Sequence, residues 1–150
     1  MPVIFVIGRV VFALYFIAAG LQRLMNVTGS ADYFAHKFVV PPALDAAAAQ
    51  VTNLVGLSTP TILAMLAGVI QLGAGLLMAF NVGTRAMAMV LILFTGVGIY
   101  YGDNFWDLAS PQREAVLTQA MLHVSLIGGL LVFVALGSFS PNEPGRRTDV

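Results

Sequence analysis

No cysteine occurs in the chain, which removes disulfides, thiolate metal sites, iron–sulfur clusters and CxxC redox pairs. Charge is nearly as scarce. Asp, Glu, Lys and Arg together make 9% of the residues, where an average soluble domain carries about 25%. The seven basic and seven acidic residues cancel, so no net positive field exists to capture nucleic acid. Gly-rich phosphate loops, GxSxG, HExxH and paired carboxylates inside an apolar segment are all missing, and with them the familiar hydrolase and nucleotide-binding patterns. What remains is apolar: 59% hydrophobic residues and a mean hydropathy of +0.90. Such a chain cannot cover a water-facing surface, and the composition specifies an integral membrane protein.

A membrane-crossing helix needs about 20 mostly apolar residues. Four segments qualify: residues 3–24, 60–80, 85–102 and 115–136. Together they predict an all-α four-helix bundle over residues 1–137, followed by a short polar tail over 138–150. The first segment lacks a basic leader and exceeds the apolar core of a signal peptide, so a retained helix is expected. Pro60 suits the first turn of the second span, with Ser58 or Thr59 as its cap. Asn81-Val82-Gly83-Thr84 reads as a tight turn, and Ser110 as the cap of the fourth span. An even number of spans places both termini on one side. The count of Lys and Arg near the helix ends favours the cytoplasm for them, with Arg9, Arg85 and Arg146-Arg147 on that side.

The connection from Asn26 to Ser58 is too long to be idle. Residues 31–40 carry Tyr33, Phe34 and Phe38 beside Asp32, His36 and Lys37, the pattern of a helix lying in the interface. Pro41-Pro42 then breaks the chain, and residues 43–57 form a second, weaker helix. This connection either caps one end of the bundle or serves as a lid or docking surface, with Tyr33, Phe34 and Phe38 as the docking residues.

Ionisable and amide groups inside a span demand an explanation, since each costs a few kcal/mol in lipid. Arg9 shares a stripe with Ala13, Phe16 and Gly20, and Gln71 lies on the small-residue stripe Ala67, Gly75 and Ala79. Counted from the shared end, both lie roughly 9–14 Å deep, so antiparallel packing is expected to bring them together. Either Arg9 snorkels and Gln71 bonds a neighbouring helix, or the two serve a quinone, lipid or substrate headgroup. Gln119 and His123 stand at i, i+4 on the fourth span, within reach of Tyr100, Tyr101 or Asp103. His123 is either a packed neutral imidazole or a proton-transfer or quinone-carbonyl contact. Haem and metal sites are not expected: the only other histidine is His36, the carboxylates lie in loops and tail, and the seven Met residues read as packing.

The order of these features resembles the DoxX family of small four-helix membrane proteins of bacteria and archaea. The resemblance rests on Gly8-Arg9-Val10 with Phe12 and Ala19-Gly20-Leu21, and on Gln71-Leu72-Gly73-Ala74-Gly75-Leu76-Leu77 with Asn81-Val82-Gly83-Thr84-Arg85. It continues through Asp103-Asn104-Phe105-Trp106 to Gln119 and Gly128-Gly129-Leu130-Leu131. The chain departs from the family pattern at three positions. Gln71 stands where a Glu is common, Asp103 where a His-x-Phe-Trp motif has its histidine, and His123-Val124 where a Lys-Asn pair is usual. Relatives of this kind are linked to membrane subunits of thiosulfate:quinone oxidoreductase and to oxidoreductase assemblies in oxidative-stress defence. The resemblance therefore makes Arg9, Gln71, Asp103, Trp106 and His123 candidates for a quinone or partner site, with Trp106 also suited to anchoring at the interface.

Three functions follow. The leading expectation is an accessory or anchoring subunit of a larger membrane complex without independent activity, whose partners are lipids and either other membrane subunits or further copies of itself. The second is a quinone-linked oxidoreductase subunit, quinone being the one cofactor in view. A small-molecule or lipid permease is third, disfavoured by the lack of an internal repeat.

Overall fold

The computed structural model describes residues 2–38, 43, 45–103 and 105–137. The expected Pro41-Pro42 break and the tail from Ser138, with its Arg pair, lie outside the described residues. Among the described residues six α-helices follow in order: α1 (Pro2–Met25), α2 (Val27–Lys37), α3 (Asp45–Val55), α4 (Thr59–Ala79), α5 (Thr84–Gly102) and α6 (Gln112–Leu136). A single 3-10 turn, Phe105–Asp107, separates the last two. Four of the helices, α1, α4, α5 and α6, are long and apolar enough to cross a membrane. They expose large side chains such as Ile4, Leu66, Leu93 and Leu131, as a lipid-facing surface requires. The protein is an all-helical integral membrane protein.

Local chemistry sets the boundaries. Asn26 ends α1 and at once caps α2, its Oδ1 accepting from the Gly29 N–H at 3.1 Å. The loop helix thus begins four residues earlier than residues 31–40 suggest, because the cap lies directly behind the first span. Pro60 does sit in the first turn of α4, and Ser58 is its N-cap, but the Ser58 hydroxyl bonds Thr61 Oγ1 at 2.8 Å instead of a free backbone N–H. The start of α6 differs more from expectation. Pro111 occupies the cap, Ser110 bonds the Glu114 carboxylate at 3.3 Å, and the helix begins three residues before Ala115. The α4–α5 turn closes on two residues in the left-handed region, Asn81 (φ 62°) and Gly83 (φ 57°). Across that end, Arg85 Nη2 donates to the Ala135 carbonyl at 3.3 Å, a cation placed on the free carbonyls of α6.

The centre of the bundle is α4, which packs on α1, α2 and α5, while α6 packs on α5. Glycines let α1 and α4 approach closely: Gly20 lies against the Gly68–Leu72 turn, and Gly75 against Ala13 and Ile17. By contrast α1 and α6 meet through rings, with Phe5 and Phe12 set 5.8 and 5.4 Å from Phe133. The apolar core is one-sided. Phe16, Ala74, Met78, Ala88, Leu91, Leu130 and Phe133 form it, centred in the half nearest the α4–α5 turn, with Phe16 at its boundary with the cavity. The other half, beneath α2, holds that cavity, and its buried apolar side chains among the described residues are the small ones of Ala64, Ala67 and Ala120.

Candidate functional site

The α1–α4 register separates the two buried polar groups expected to meet. With Gly20 beside Gly68 and Leu72, and Gly75 beside Ala13 and Ile17, Arg9 falls level with Asn81, and Gln71 level with Ala19. The two therefore lie about 15 Å apart along the helix axis. The expectation of similar depth counted each helix from its own end. The glycine seam shifts the pairing by roughly ten residues. Arg9, 5% exposed, instead donates from Nη1 to Asn81 Oδ1 at 2.5 Å. The same oxygen accepts from Thr84 Oγ1 at 3.1 Å. Arg9 does not snorkel; it fastens α1 to the α4–α5 turn.

Gln71 is one of the buried polar groups of the half beneath α2, with Thr95 and Asp103. It is 6% exposed, and its Oε1 is buried without a hydrogen-bond partner among the described residues. It lines an inner cavity of about 130 Å³ whose walls are aromatic, from Tyr15 and Phe16 on α1, Phe34 on α2, and Phe94 and Tyr101 on α5. An amide carbonyl left unpaired in an apolar setting costs about 1–3 kcal/mol. Rotating the amide by half a turn exchanges its ends, so Gln71 offers either an acceptor or a donor to whatever enters.

Beside this cavity lies an outer vestibule of about 740 Å³, and the two share Tyr15, Ala19, Arg23, Tyr33, Lys37 and Gly102, together with His123. Asp103, Gln119 and His123 converge there. Asp103 ends α5 as its C-cap and is 6% exposed; His123 stands opposite on α6. Their Nδ1–Oδ2 distance is 2.5 Å. A carboxylate only accepts, so Nδ1 carries the proton, leaving Nε2 to accept from Gln119 Nε2 at 3.4 Å. Of the three residues in reach of His123, it is thus Asp103 that pairs with it. Asp103 and His123 thus close the gap between the end of α5 and the face of α6.

Helix α2 roofs the space. Phe34 and Phe38 turn inward, with Phe38 packed 4.5 Å from the Tyr101 ring and the Arg23 guanidinium 5.6 Å over Phe34. The Tyr33 hydroxyl stands where a side chain on Gly102 would lie. Burial pushes the Tyr33 phenol above its ordinary value, the Asp103 carboxylate adds to that, and Arg23 opposes it. All three aromatic residues expected to dock a partner line the inner cavity.

Two other candidates lie outside. Tyr100 is 63% exposed, facing a groove on the lipid side of α5. Trp106, 49% exposed, sits on the 3-10 turn against Phe105 and Tyr100 at 5.0 and 6.0 Å, as an interfacial anchor does. Sequence reasoning passed over Tyr15, Arg23, Lys37 and Thr95, all of which line the inner cavity. One signal was available: Tyr15, Ala19 and Arg23 recur at four-residue spacing, beside the glycine seam.

The DoxX family's sequence profile matches residues 4–103, two thirds of the chain and all of α1 through α5 save Pro2 and Val3. The chain belongs to the DoxX family. It is similar to the inner membrane protein YphA of Escherichia coli (strain K12), 24% identical over 136 residues that cover 91% of this chain and 84% of that protein. No solved structure matches the chain. Gln71 and Asp103 lie within the family match; Gln119 and His123 lie beyond it.

Proposed function

We propose that this DoxX protein holds a quinone headgroup in the inner cavity beneath α2, as a non-catalytic membrane subunit of a larger oxidoreductase assembly. The observation that carries the reading is Gln71: an unpaired amide oxygen at the wall of an aromatic cavity, where a saturated lipid chain would leave it orphaned. A planar dioxygenated ring fits these residues. Gln71 donates from its amide to a carbonyl of the oxidised form, or accepts from a hydroxyl of the reduced form. Phe16, Phe34, Phe94 and Tyr101 supply faces and edges for the ring. A bound quinone contributes two-electron, two-proton carrying capacity. Asp103 fixes the His123 tautomer, and with Gln119 it holds the imidazole at the boundary between inner cavity and vestibule. The assembly half of the reading rests on the family resemblance, the headgroup half on Gln71.

The test uses Trp106, the sole tryptophan, as reporter. In lipid nanodiscs a tail-less benzoquinone is expected to quench Trp106 emission saturably, and Gln71→Leu to weaken that binding about tenfold, the worth of one hydrogen bond. The same substitution removes a buried unpaired group, so the fold gains about 1 kcal/mol while the ligand is lost. Quenching that never saturates, or a Gln71→Leu variant that binds as well as the parent, rejects the reading. Native-gel migration in mild detergent tests the assembly: co-migration with an oxidoreductase supports it, and migration alone rejects it.

A further inference from the structure

We infer that the ligand of the inner cavity carries a long apolar tail, and that this tail leaves the bundle sideways, past Val97 and Tyr101, into a groove between α5 and α6. The inference rests on the headgroup reading and extends it from the ring to the whole molecule. The groove has a volume of about 420 Å³ and is lined by Ile92, Leu93, Gly96, Tyr100 and Ile127, together with Val97 and Tyr101. Those last two also line the inner cavity. A single stretch of α5 therefore forms the wall between a buried polar hook and a lipid-facing channel. The opposite route is wrong for a hydrocarbon: the vestibule presents Arg23, Lys37, Asp103, Gln119 and His123. A tail threaded there would strip water from charged groups without replacing their hydrogen bonds. The groove beside Val97 offers carbon almost throughout, the Tyr100 and Tyr101 hydroxyls apart.

Gly96 makes the groove. It faces open space, with no atom within 4 Å of the position a Cβ would take, so a larger side chain there fills the groove without pressing on the protein. Since lipid tails are as apolar as the groove, occupancy is not driven by water exclusion. The tail must go where its headgroup sends it. Blocking the groove thus excludes a tailed ligand by shape and spares one that ends at the ring.

The experiment compares a farnesyl-tailed ubiquinone with the same benzoquinone lacking a tail, read by Trp106 quenching in nanodiscs for the parent chain and Gly96→Phe. The expected result is about a tenfold or greater loss of affinity for the tailed quinone in Gly96→Phe, with the tail-less one bound within about twofold of the parent, since the variant changes shape only along the tail. A Gly73→Ala chain, altered away from both cavity and groove and melting no lower than the parent, is expected to bind both as the parent does. If Gly96→Phe binds both quinones as the parent does, the lateral route is wrong. If it loses both while melting like the parent, groove and headgroup site are not separable and the route is equally wrong. If the parent binds neither, the headgroup reading falls and takes this inference with it.

Discussion

Replacing Gly20 by Ala is the sharpest probe of how the site is held open. A Cβ at residue 20 would lie 2.4 Å from the Leu72 backbone nitrogen, 2.8 Å from the Gly68 carbonyl oxygen and 2.9 Å from the Leu72 Cα. Ordinary contacts of this kind run at about 3.5–4.0 Å, so α1 and α4 must part by about 1 Å. All three obstacles are backbone, and no side-chain rotation relieves them. Overpacking costs about 1–3 kcal/mol where side chains can yield. With rigid backbone on both sides the upper end applies, a factor of about 100 in the unfolding equilibrium. The assay is denaturation by dodecyl sulfate in mixed micelles. Gly73→Ala serves as control on the same helix, because nothing lies within 4 Å of its added carbon. There the gain in helix propensity is expected to add up to about 1 kcal/mol. Parting the two helices also moves Gln71 away from the Ala19 side of the inner cavity, so Gly20→Ala loses quinone retention as well as stability. If Gly20→Ala proves as stable as Gly73→Ala, the close α1–α4 seam, and the register derived from it, are wrong.

Two further outcomes are expected. Asn81→Gly keeps the left-handed backbone and removes the acceptor of Arg9, costing about 1.5–3 kcal/mol as the loss of a charge-assisted bond. Asn81→Ala adds about 1–2 kcal/mol of backbone strain to that, and Arg9→Met costs least because it removes the buried charge along with its bond; a different order in micelle denaturation refutes the Arg9 fastening. The Tyr33 phenol titrates above its usual value of about 10, so its contribution to stability is fully present below that pH and is lost as pH rises through the higher folded-state value. Phenolate absorbance, taken as the difference between the parent and Tyr33→Phe, is expected to shift down in pH for Asp103→Asn and up for Arg23→Gln, and shifts of the opposite sign refute the assigned causes.

Much of this architecture is legible in the sequence, for identifiable reasons. The four spans follow from hydropathy and length alone, because lipid forces every backbone polar group into helices. The Gln119–His123 pair follows from helical spacing, and the short span end at Asp103 puts that carboxylate within its reach. Register does not follow. Arg9 and Gln71 sit at similar distances from one end of their helices, and only the close contacts of Gly20 and Gly75 reveal that they are offset. Nor does rotation about α5 follow: Tyr100 and Tyr101 are adjacent in the chain, yet one faces lipid and the other the cavity. Whether Phe34 and Phe38 cap the bundle or face outward to dock a partner stays open in the sequence, because α2, taken alone, is amphipathic. Its partner α4 lies more than twenty residues further along the chain, and no local pattern names it.

The distribution of buried polarity is what separates the two halves of the bundle in function. At the α4–α5 turn, Arg9, Thr84 and Asn81 close on one another, and the same half is packed with Met78, Leu91 and Leu130. Arg9 keeps one nitrogen unpaired there, but its guanidinium is anchored through another. In the opposite half, Gln71 and Thr95 border a cavity in place of a packed core, and the Gln71 oxygen is answered by nothing among the described residues. A bundle needing polar groups only to hold its helices together would fill both halves alike. One leucine at residue 71 would remove the unpaired oxygen and narrow the cavity. The chain instead keeps an amide there, under a roof of aromatic residues and beside the hydrogen-bonded Asp103–His123 pair. On the proposed reading, that combination serves an occupant at the expense of the empty fold.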